Sequence, residues 1–578
     1  MPGYFAINLF GDTTLVRNNF QYKGAMTWIH ARHTLKFGID TIRRQFNLPH
    51  VNTNGNGAYA FGQTTGDGAA DALLGLPSSF TQSDGFRVQV RQTDWVGFAQ
   101  DDFRLHRRVT LNAGLRYEPF RPWEDQWLKT LPQAAYFVPG QKSRVFTDAP
   151  AGMLFYGDPG IARPLAPRRN LRLAPRLGLA IDPFGDGKSS IRLGYGLFYD
   201  TLLPTEQVQQ PANLPMFATA ISFPFPTSTA DPYAGRTSPF PGPSPKPANF
   251  TIPRPLGWNA MDPGFNNPYI HQWNVTLERQ VFSAANIVRA TYQGSKGTRL
   301  PLVYTENAAV YVPGRSTRAN FNDRRPYWPD FGAVKVLKSV ANSTYHAAIF
   351  TLERRFARDW SVTASYTFSK AIDNAINAGT ANVGVINNPF NWNSDRGRAD
   401  SDRPHAFVAS YLWDLPRLKG ANPVLRHVLG GWQNNGIVSA YSGLTYSIAA
   451  GIDQSLTANG ADRADVVGNW QPAGGRSKGE QILRWFTPAA FALPAEGQFG
   501  NSGRNNLRGP GSVNVDWGLF KQIPIVERHT LQFRAEFFNL FNHANLGLPN
   551  NNLQSAQFGR ITSAGSPRII QFALKYAF

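Results

Sequence analysis

The 578-residue sequence contains no cysteine. Disulfides, thiolate metal sites and a cysteine nucleophile are therefore excluded. No stretch approaches the ~18 consecutive apolar residues that a membrane-spanning helix takes. The opening MPGYFAINLF has no basic region, no apolar core and no small-residue cleavage site, so it does not read as a signal peptide. Helical periodicity is nearly missing, and no motif recurs every ~40–50 residues as the blades of a propeller would.

The motifs of catalysis are missing as well. There is no His-Glu-x-x-His and no Gly-x-x-x-x-Gly-Lys-Ser/Thr. No paired carboxylates form a recognisable constellation, so the expectation is a protein that is not an enzyme, with no catalytic residue and no cofactor. Lys and Arg number 58 against 38 Asp and Glu, a formal charge of +20. The basic residues are mostly arginines scattered through strands and turns, with no dense run, and nucleic acid is not an expected partner.

What is present is alternation of period two along the whole chain. DWSVTASYTFSK puts Trp360, Val362, Ala364, Tyr366 and Phe368 on one face and Ser361, Thr363, Ser365, Thr367 and Ser369 on the other. RVTLNAGLRYE opposes Val109, Leu111, Ala113, Leu115 and Tyr117 to Thr110, Asn112, Gly114, Arg116 and Glu118. HTLQFRAEFF sets Leu531, Phe533, Ala535 and Phe537 against Gln532, Arg534 and Glu536. SSIRLGYGLFYD does the same with Ile191, Leu193, Tyr195, Leu197 and Tyr199, and QWNVTLERQ follows with Arg279 interrupting its apolar row. In DWVGFAQDDF and YHAAIFTLERR the pattern does not assign the faces.

The alternation predicts sixteen strands: 4–10, 20–29, 34–46, 94–104, 108–119, 173–182, 189–199, 270–281, 285–293, 344–355, 360–370, 403–414, 432–448, 512–523, 529–541 and 567–578. Many reach 10–12 residues, against ~5–6 in soluble sheets. Short connections (30–33, 105–108, 182–189, 356–359 and the intermediate 415–431) alternate with long ones (47–93, 120–172, 200–269, 294–343, 371–402, 449–511 and 542–566). In an up-and-down meander one rim is then trim and the other carries the loops. Those loops are rich in Gly, Pro, Asn and Asp, as in SPFPGPSPKPANFTIPRP, and are expected to be irregular and mobile.

A soluble sandwich alternates too, but three features favour a membrane wall. The strands suit the ~9–11 residues that cross a hydrocarbon core at a tilt. The polar faces carry Arg, Glu, Gln, Ser and Thr in rows, as a wet lumen requires. Aromatics crowd the strand ends at Tyr117, Tyr199, Phe368, Phe541, Tyr576 and Phe578, where interfacial rings sit. Lipid leaves no backbone group unpaired, so such a sheet closes. The expected fold is all-β, a transmembrane antiparallel up-and-down β-barrel in contact with outer-membrane lipid, with long extracellular loops and short periplasmic turns.

Three local clusters admit a ligand reading beside a structural one. GSKGTR (294–299) reads as a turn leaving a strand or as a phosphate loop. Asp400, Asp402 and His405 in RADSDRPHAF, and Asp453, Asp462 and Asp465 in GIDQSLTANGADRAD, read as capped turns or as hard-metal sites. The second lacks the spacing and terminal Glu of an EF-hand, and no metal site is assigned.

LQFRAEFFNLFNHANLGLPN (531–550) followed by FGRITSAGSPRIIQFALKYAF (558–578) resembles the C-terminal end of TonB-dependent outer-membrane transporters. The likeness is to the Oar-like group with a carboxypeptidase-regulatory-like domain. DWVGFAQDDFRLHRRVTLNAGLRYEPF (94–120), APRLGLAIDPFGDGKSSIRLGYGLFYD (174–200), NPFNWNSDRGRADSDRPHAFVASYLWDLP (388–416) and GGWQNNGIVSAYSGLTYSI (430–448) fit the same family, so the likeness spans most of the chain from about residue 20. The resemblance implies a cell outer membrane location, a 22-stranded barrel and an N-terminal plug through which the TonB complex powers import of a bulky or scarce ligand. About sixteen strands are visible, and no plug or signal peptide. The expectation is therefore one domain, 1–578, the barrel portion of a longer receptor. The alternatives are a passive porin, which suits sixteen strands, and a surface adhesin. The resemblance further implies that Phe572, Leu574, Tyr576 and Phe578 are the address read by the barrel-assembly machinery.

Overall fold

The computed structural model describes residues 16–51, 57–83, 86–126, 135–161, 166–201, 220–225, 229–238, 240, 251–357, 359–374, 386–416, 418, 420, 422–460, 462–472, 474–526 and 529–578. Fifteen long strands form one antiparallel meander. They are β1 (Val16–His30), β2 (His33–Val51), β3 (Phe86–His106), β4 (Val109–Tyr117), β5 (Leu173–Ile181), β6 (Ser189–Tyr199), β7 (Tyr269–Gln280) and β8 (Asn286–Thr305). The second half adds β9 (Phe331–Ala357), β10 (Trp360–Asp373), β11 (His405–Asp414), β12 (Trp432–Tyr441), β13 (Ser512–Val526), β14 (His529–Phe538) and β15 (Ile569–Ala577). Every strand pairs with its neighbours in sequence. Fifteen of the sixteen expected strands are thus found, and the sixteenth, 4–10, lies outside the described residues. β1 and β15 each have one strand neighbour among the described residues, and both run from the loop rim to the turn rim. Antiparallel closure then takes an odd number of strands beyond these fifteen.

The register brings the apolar faces read from the sequence onto one surface. Val109, Leu111, Ala113, Leu115 and Tyr117 stand opposite Ile181, Leu179, Leu177, Pro175 and Leu173. Trp360, Val362, Ala364, Tyr366 and Phe368 stand opposite Trp413, Tyr411, Ala409, Phe407 and His405. Leu531, Phe533, Ala535 and Phe537 stand opposite Tyr576, Leu574, Phe572 and Ile570. The two ambiguous strands also resolve, since Trp95, Gly97 and Ala99 pair with outward Thr41, Ile39 and Phe37, and Ala348, Phe350 and Leu352 pair with outward Phe368, Tyr366 and Ala364.

Rings mark the ends of this apolar band. The hydroxyls of Tyr195, Tyr292 and Tyr366 share hydrogen bonds of 2.8, 2.8 and 2.7 Å with Nδ1 of His271, His346 and His405 toward the loop rim. Tyr576 repeats the pairing with His529 at 2.6 Å toward the turn rim. All four pairs are stacked diagonally across two strands. Between the belts β10 spends nine residues, Trp360 to Phe368. That is ~26 Å of strand at ~3.3 Å per residue, or ~20 Å of height at a tilt near 40°. Arg279, the interruption in the β7 row, lies at the turn rim over the Phe184 ring, 5.1 Å from its centroid.

Two expectations need correcting. GSKGTR is neither a turn nor a phosphate loop but the interior of β8. Gly294 there is required sterically, because a Cβ would enter the indole of Trp273, its register partner. The long loops are not irregular throughout either. β8 and β9 continue as a two-stranded ribbon as far as Thr305 and Lys335, taking up much of the predicted 294–343 loop. Leu256–Met261 joins that ribbon in parallel, and Phe146, Met153, Phe155, Ile252, Trp258 and Phe331 form a core around it. A second core joins Phe120, Tyr136, Ala166, Met261 and Phe265, and a third joins Tyr446, Ile448, Phe486, Phe491 and Leu507. The Pro-rich and Gly-rich composition signalled turns, and the sparse aromatics between those turns supply the burial. The connection 415–431 carries a short helix, Pro423–Leu429, capped by the Asn422 side chain.

Candidate functional site

The polar faces of the strands converge on the interior of the wall. Near the turn rim they build a charge ladder across four strands: Arg192 to Glu278 (3.8 Å), Glu278 to Arg289 (2.9 Å), Arg289 to Glu353 (3.6 Å) and Glu353 to Arg355 (3.6 Å). Thr276 and Thr291, and Thr351 and Ser365, bridge neighbouring strands at 3.1 and 3.3 Å. Farther round the wall, Lys23, Lys36, Arg116 and Arg176 frame a small basic hollow of about 190 Å³. These side chains are half-exposed and water-facing, which suits a polar passage and not acid–base chemistry.

Above the wall, the loops between 386 and 405, 442 and 511, and 539 and 568 meet in a crown held by buried ion pairs. Arg463 pairs with Asp395, which is fully buried. Arg504, whose side chain is 4% exposed, pairs with Asp373 and with Asp400 at 3.2 Å. Arg508 pairs with Asp402 at 2.7 Å. The partners are 68 to 131 residues apart in the chain, so no local spacing announces them. A cleft of about 310 Å³ opens between these loops, lined by Asn387, Asp395, Asp400, Ser447, Asp462, Arg463, Arg504, Asn505 and Asn551 among others. Its amides and the half-exposed Asp400 carboxylate can hydrogen-bond a polar ligand. Arg463 and Arg504 are committed to their carboxylates.

Neither possible metal cluster brings three ligands together among the described residues, although Asp453 and Asp462 stay close enough to share the Ser455 hydroxyl (3.1 and 2.9 Å). Asp402 accepts from the Ala371 amide (2.8 Å) and Arg508, Asp400 accepts from Asn505 Nδ2 (2.6 Å) and Arg504, and His405 faces outward to Tyr366. Asp453 accepts from the Ala458 amide (2.8 Å), Asp462 from the Gln454 and Ser455 amides (2.7 and 2.6 Å), and Asp465 from the Asn501 amide (2.8 Å). Burial pushes the Asp462 carboxyl up from the ordinary carboxylate range, against these amide bonds. No group of three metal-ligating side chains occurs among the described residues.

Asp71 organises another part of the loop rim. It lies fully buried in the short helix Gly68–Leu73 and accepts from the amides of Gly62 (2.8 Å), Thr64 (3.0 Å) and Thr65 (2.8 Å). The Thr65 side chain above all, and then these amides, hold its pKa down to about 2. A depressed carboxylate stabilises its fold above the unfolded pKa of ~3.9 and loses that contribution as pH falls toward 2. The protection of the Gly62, Thr64 and Thr65 amides against hydrogen exchange, relative to their intrinsic rates, is therefore expected to fall between pH 4 and 2. Unchanged protection across that window contradicts the assignment.

A further hollow, of about 720 Å³, backs onto the turn-rim ladder, with Glu278 and Arg289 in its lining. It is framed by Phe184, Leu277, Val288, Phe350, Leu352 and Phe407 on the outer face, where it meets hydrocarbon.

A family model described as an outer membrane beta barrel domain matches residues 3–571. No curated protein sequence matches the chain. Among solved structures, the outer membrane transporter YddB from Escherichia coli superposes with a TM-score of 0.51 at 10% identity, over 97% of this chain and 54% of that one. The ferripyoverdine receptor of Pseudomonas aeruginosa gives 0.47 at 9% identity, over 97% and 48%. The FrpB iron transporter from Neisseria meningitidis gives 0.43 at 11%, over 97% and 54%. The chain spans about half the length of these structures, and likeness at such identity concerns the fold.

Proposed function

The chain belongs to the outer-membrane β-barrel domain family and resides in the outer membrane, and from that premise we propose that it is the wall and ligand-gathering crown of a TonB-dependent importer. The observation that carries the reading is the crown. Its loops have cores of their own and are tied by buried ion pairs around a polar cleft, so they present a fixed surface above a wide polar lumen. A fixed crown costs a ligand little ordering on binding. The cleft's amides and the carboxylate of Asp400 suit a large polar cargo, such as an oligosaccharide, a peptide or a metal chelate. The transporter likeness agrees with this direction, and energised import requires a plug that the wall would enclose. The terminal Phe572, Leu574, Tyr576 and Phe578 serve in this reading as the barrel-assembly address.

Uptake by cells with and without the gene tests the proposal. Accumulation of polar cargo beyond the external concentration, abolished when the proton gradient is collapsed, is the expected result. Gene-dependent entry that only equilibrates, and that survives collapse of the gradient, points to a passive porin instead. Unchanged uptake with lost surface attachment points to an adhesin.

A further inference from the structure

A second charged feature is built from the outward faces of two strands at the loop rim. Thr41 pairs with Trp95, Arg43 with Thr93 and Gln45 with Arg91, so Arg43 and Arg91 share the outward face of β2 and β3 with Trp95. Trp95 is 60% exposed on that face, and Tyr22 of β1 stands beside Thr41. Arg43 therefore lies one register step beyond this ring pair toward the loop rim, and Arg91 two. The following loop closes over them: Glu124 pairs with Arg91 in register, and Arg168 returns to form an ion pair with Glu124.

With Arg121, Pro122 and Gln126 these residues frame a hollow of about 520 Å³. Four guanidinium groups meet one carboxylate. Arg91 donates to Asn47 Oδ1 (2.7 Å) and to its neighbour's carbonyl (3.0 Å), and Arg121 to Asn170 Oδ1 (3.0 Å). Among the described residues, neither of these two arginines nor Arg43 forms an ion pair. The strands at this height are beyond the apolar band, since β2 and β3 run 19 and 21 residues where ~9–11 suffice to cross.

We propose that this hollow binds the phosphate-bearing headgroup of a glycolipid in the outer leaflet. Guanidinium forks match phosphate oxygens in geometry and charge. Arg43 and Arg91 line it from the outward face, one and two register steps beyond rings of the kind that sit at the membrane interface. A lipid reaches it by lateral diffusion, whereas cargo in the lumen is on the opposite face of the sheet.

Binding of fluorescent diphosphorylated lipid A to the full chain in neutral detergent micelles tests the site. Arg43→Gln/Arg91→Gln is expected to weaken binding by about tenfold or more, the worth of one charge-assisted hydrogen bond. Arg43→Lys/Arg91→Lys is expected to retain most of it. Arg107→Gln/Arg108→Gln, which removes equal charge at the turn rim, is expected to leave it unchanged. Should the first variant fail to fold, judged by loss of heat-modifiable mobility on a gel, Arg121→Gln in the covering loop carries the same expectation. Equal affinity of the Gln variants and the unaltered chain overturns the proposal, as does equal weakening by the turn-rim variant. Full competition by millimolar inorganic phosphate overturns the lipid assignment.

Discussion

Leu352→Arg is expected to cost the folded wall ~2–4 kcal/mol, the penalty for a cation at the middle of the hydrocarbon band. Leu352 stands between Val288 and Ala364 on the outer face, and Ala364 is the centre of the nine residues that β10 spends between the belts. Ser365→Arg, one residue away on the lumen face, is expected to cost far less, because its guanidinium enters water beside polar neighbours. Urea midpoints of the chain folded into vesicles measure both. Equal losses contradict the assignment of faces. Depth decides the size of the effect. Phe533 stands opposite Lys521, whose Nζ donates to the carbonyls of His427, Val428 and Gly430 at the turn rim. Arginine at 533, or at its partner 574, can reach the same interface and is expected to fall toward ~0–1 kcal/mol. In cells Leu574→Arg is expected to be worse than Phe533→Arg if the terminal strand is an assembly address, while the two match after refolding from urea.

The crown supplies the second large effect. Arg504→Met removes the only ion-pair partner recorded for Asp373 among the described residues, and also releases Asp400 and the carbonyl of Asp395. An uncompensated buried charge costs ~3–5 kcal/mol. The loss is expected in the crown, read as faster proteolysis and hydrogen exchange of 386–405 and 442–511, with the wall intact. It also carries a pH signature. Burial already raises the Asp373 carboxyl, against the opposing pull of Arg504, and removing Arg504 raises it further. A group whose folded pKa is raised binds its proton more tightly in the folded state, so its contribution is fully present at low pH and is lost as pH rises through the folded pKa. The variant crown should recover protection as pH falls through the raised folded pKa of Asp373. Damage independent of pH contradicts the role given to Asp373.

These two sites divide what a reader of the sequence can and cannot see. The face of Leu352 was ambiguous in YHAAIFTLERR taken alone, yet Trp360 to Phe368 beside it were plain, and one register fixes both. Alternation is a local property: the pleat sends successive side chains to opposite sides, so the chain itself displays which residues meet lipid and which meet water. The same locality made fifteen strands, the trim rim and the looped rim readable without any tertiary contact. It also misled at GSKGTR, where Gly294, which makes room for Trp273, looks like part of a turn.

No local rule joins Arg504 to Asp373, or Arg43 to Arg121. Those pairs are set by strand register and by loops folding back over more than seventy residues. The composition of the loops promised only turns, since a few dispersed aromatics carry no period that betrays a core. By itself, then, the sequence determined the wall, its two faces and its two rims, because strand geometry repeats every second residue. The tertiary structure alone decided the crown and the basic outward hollow, because both are built from charges that only register and loop closure bring within reach of one another.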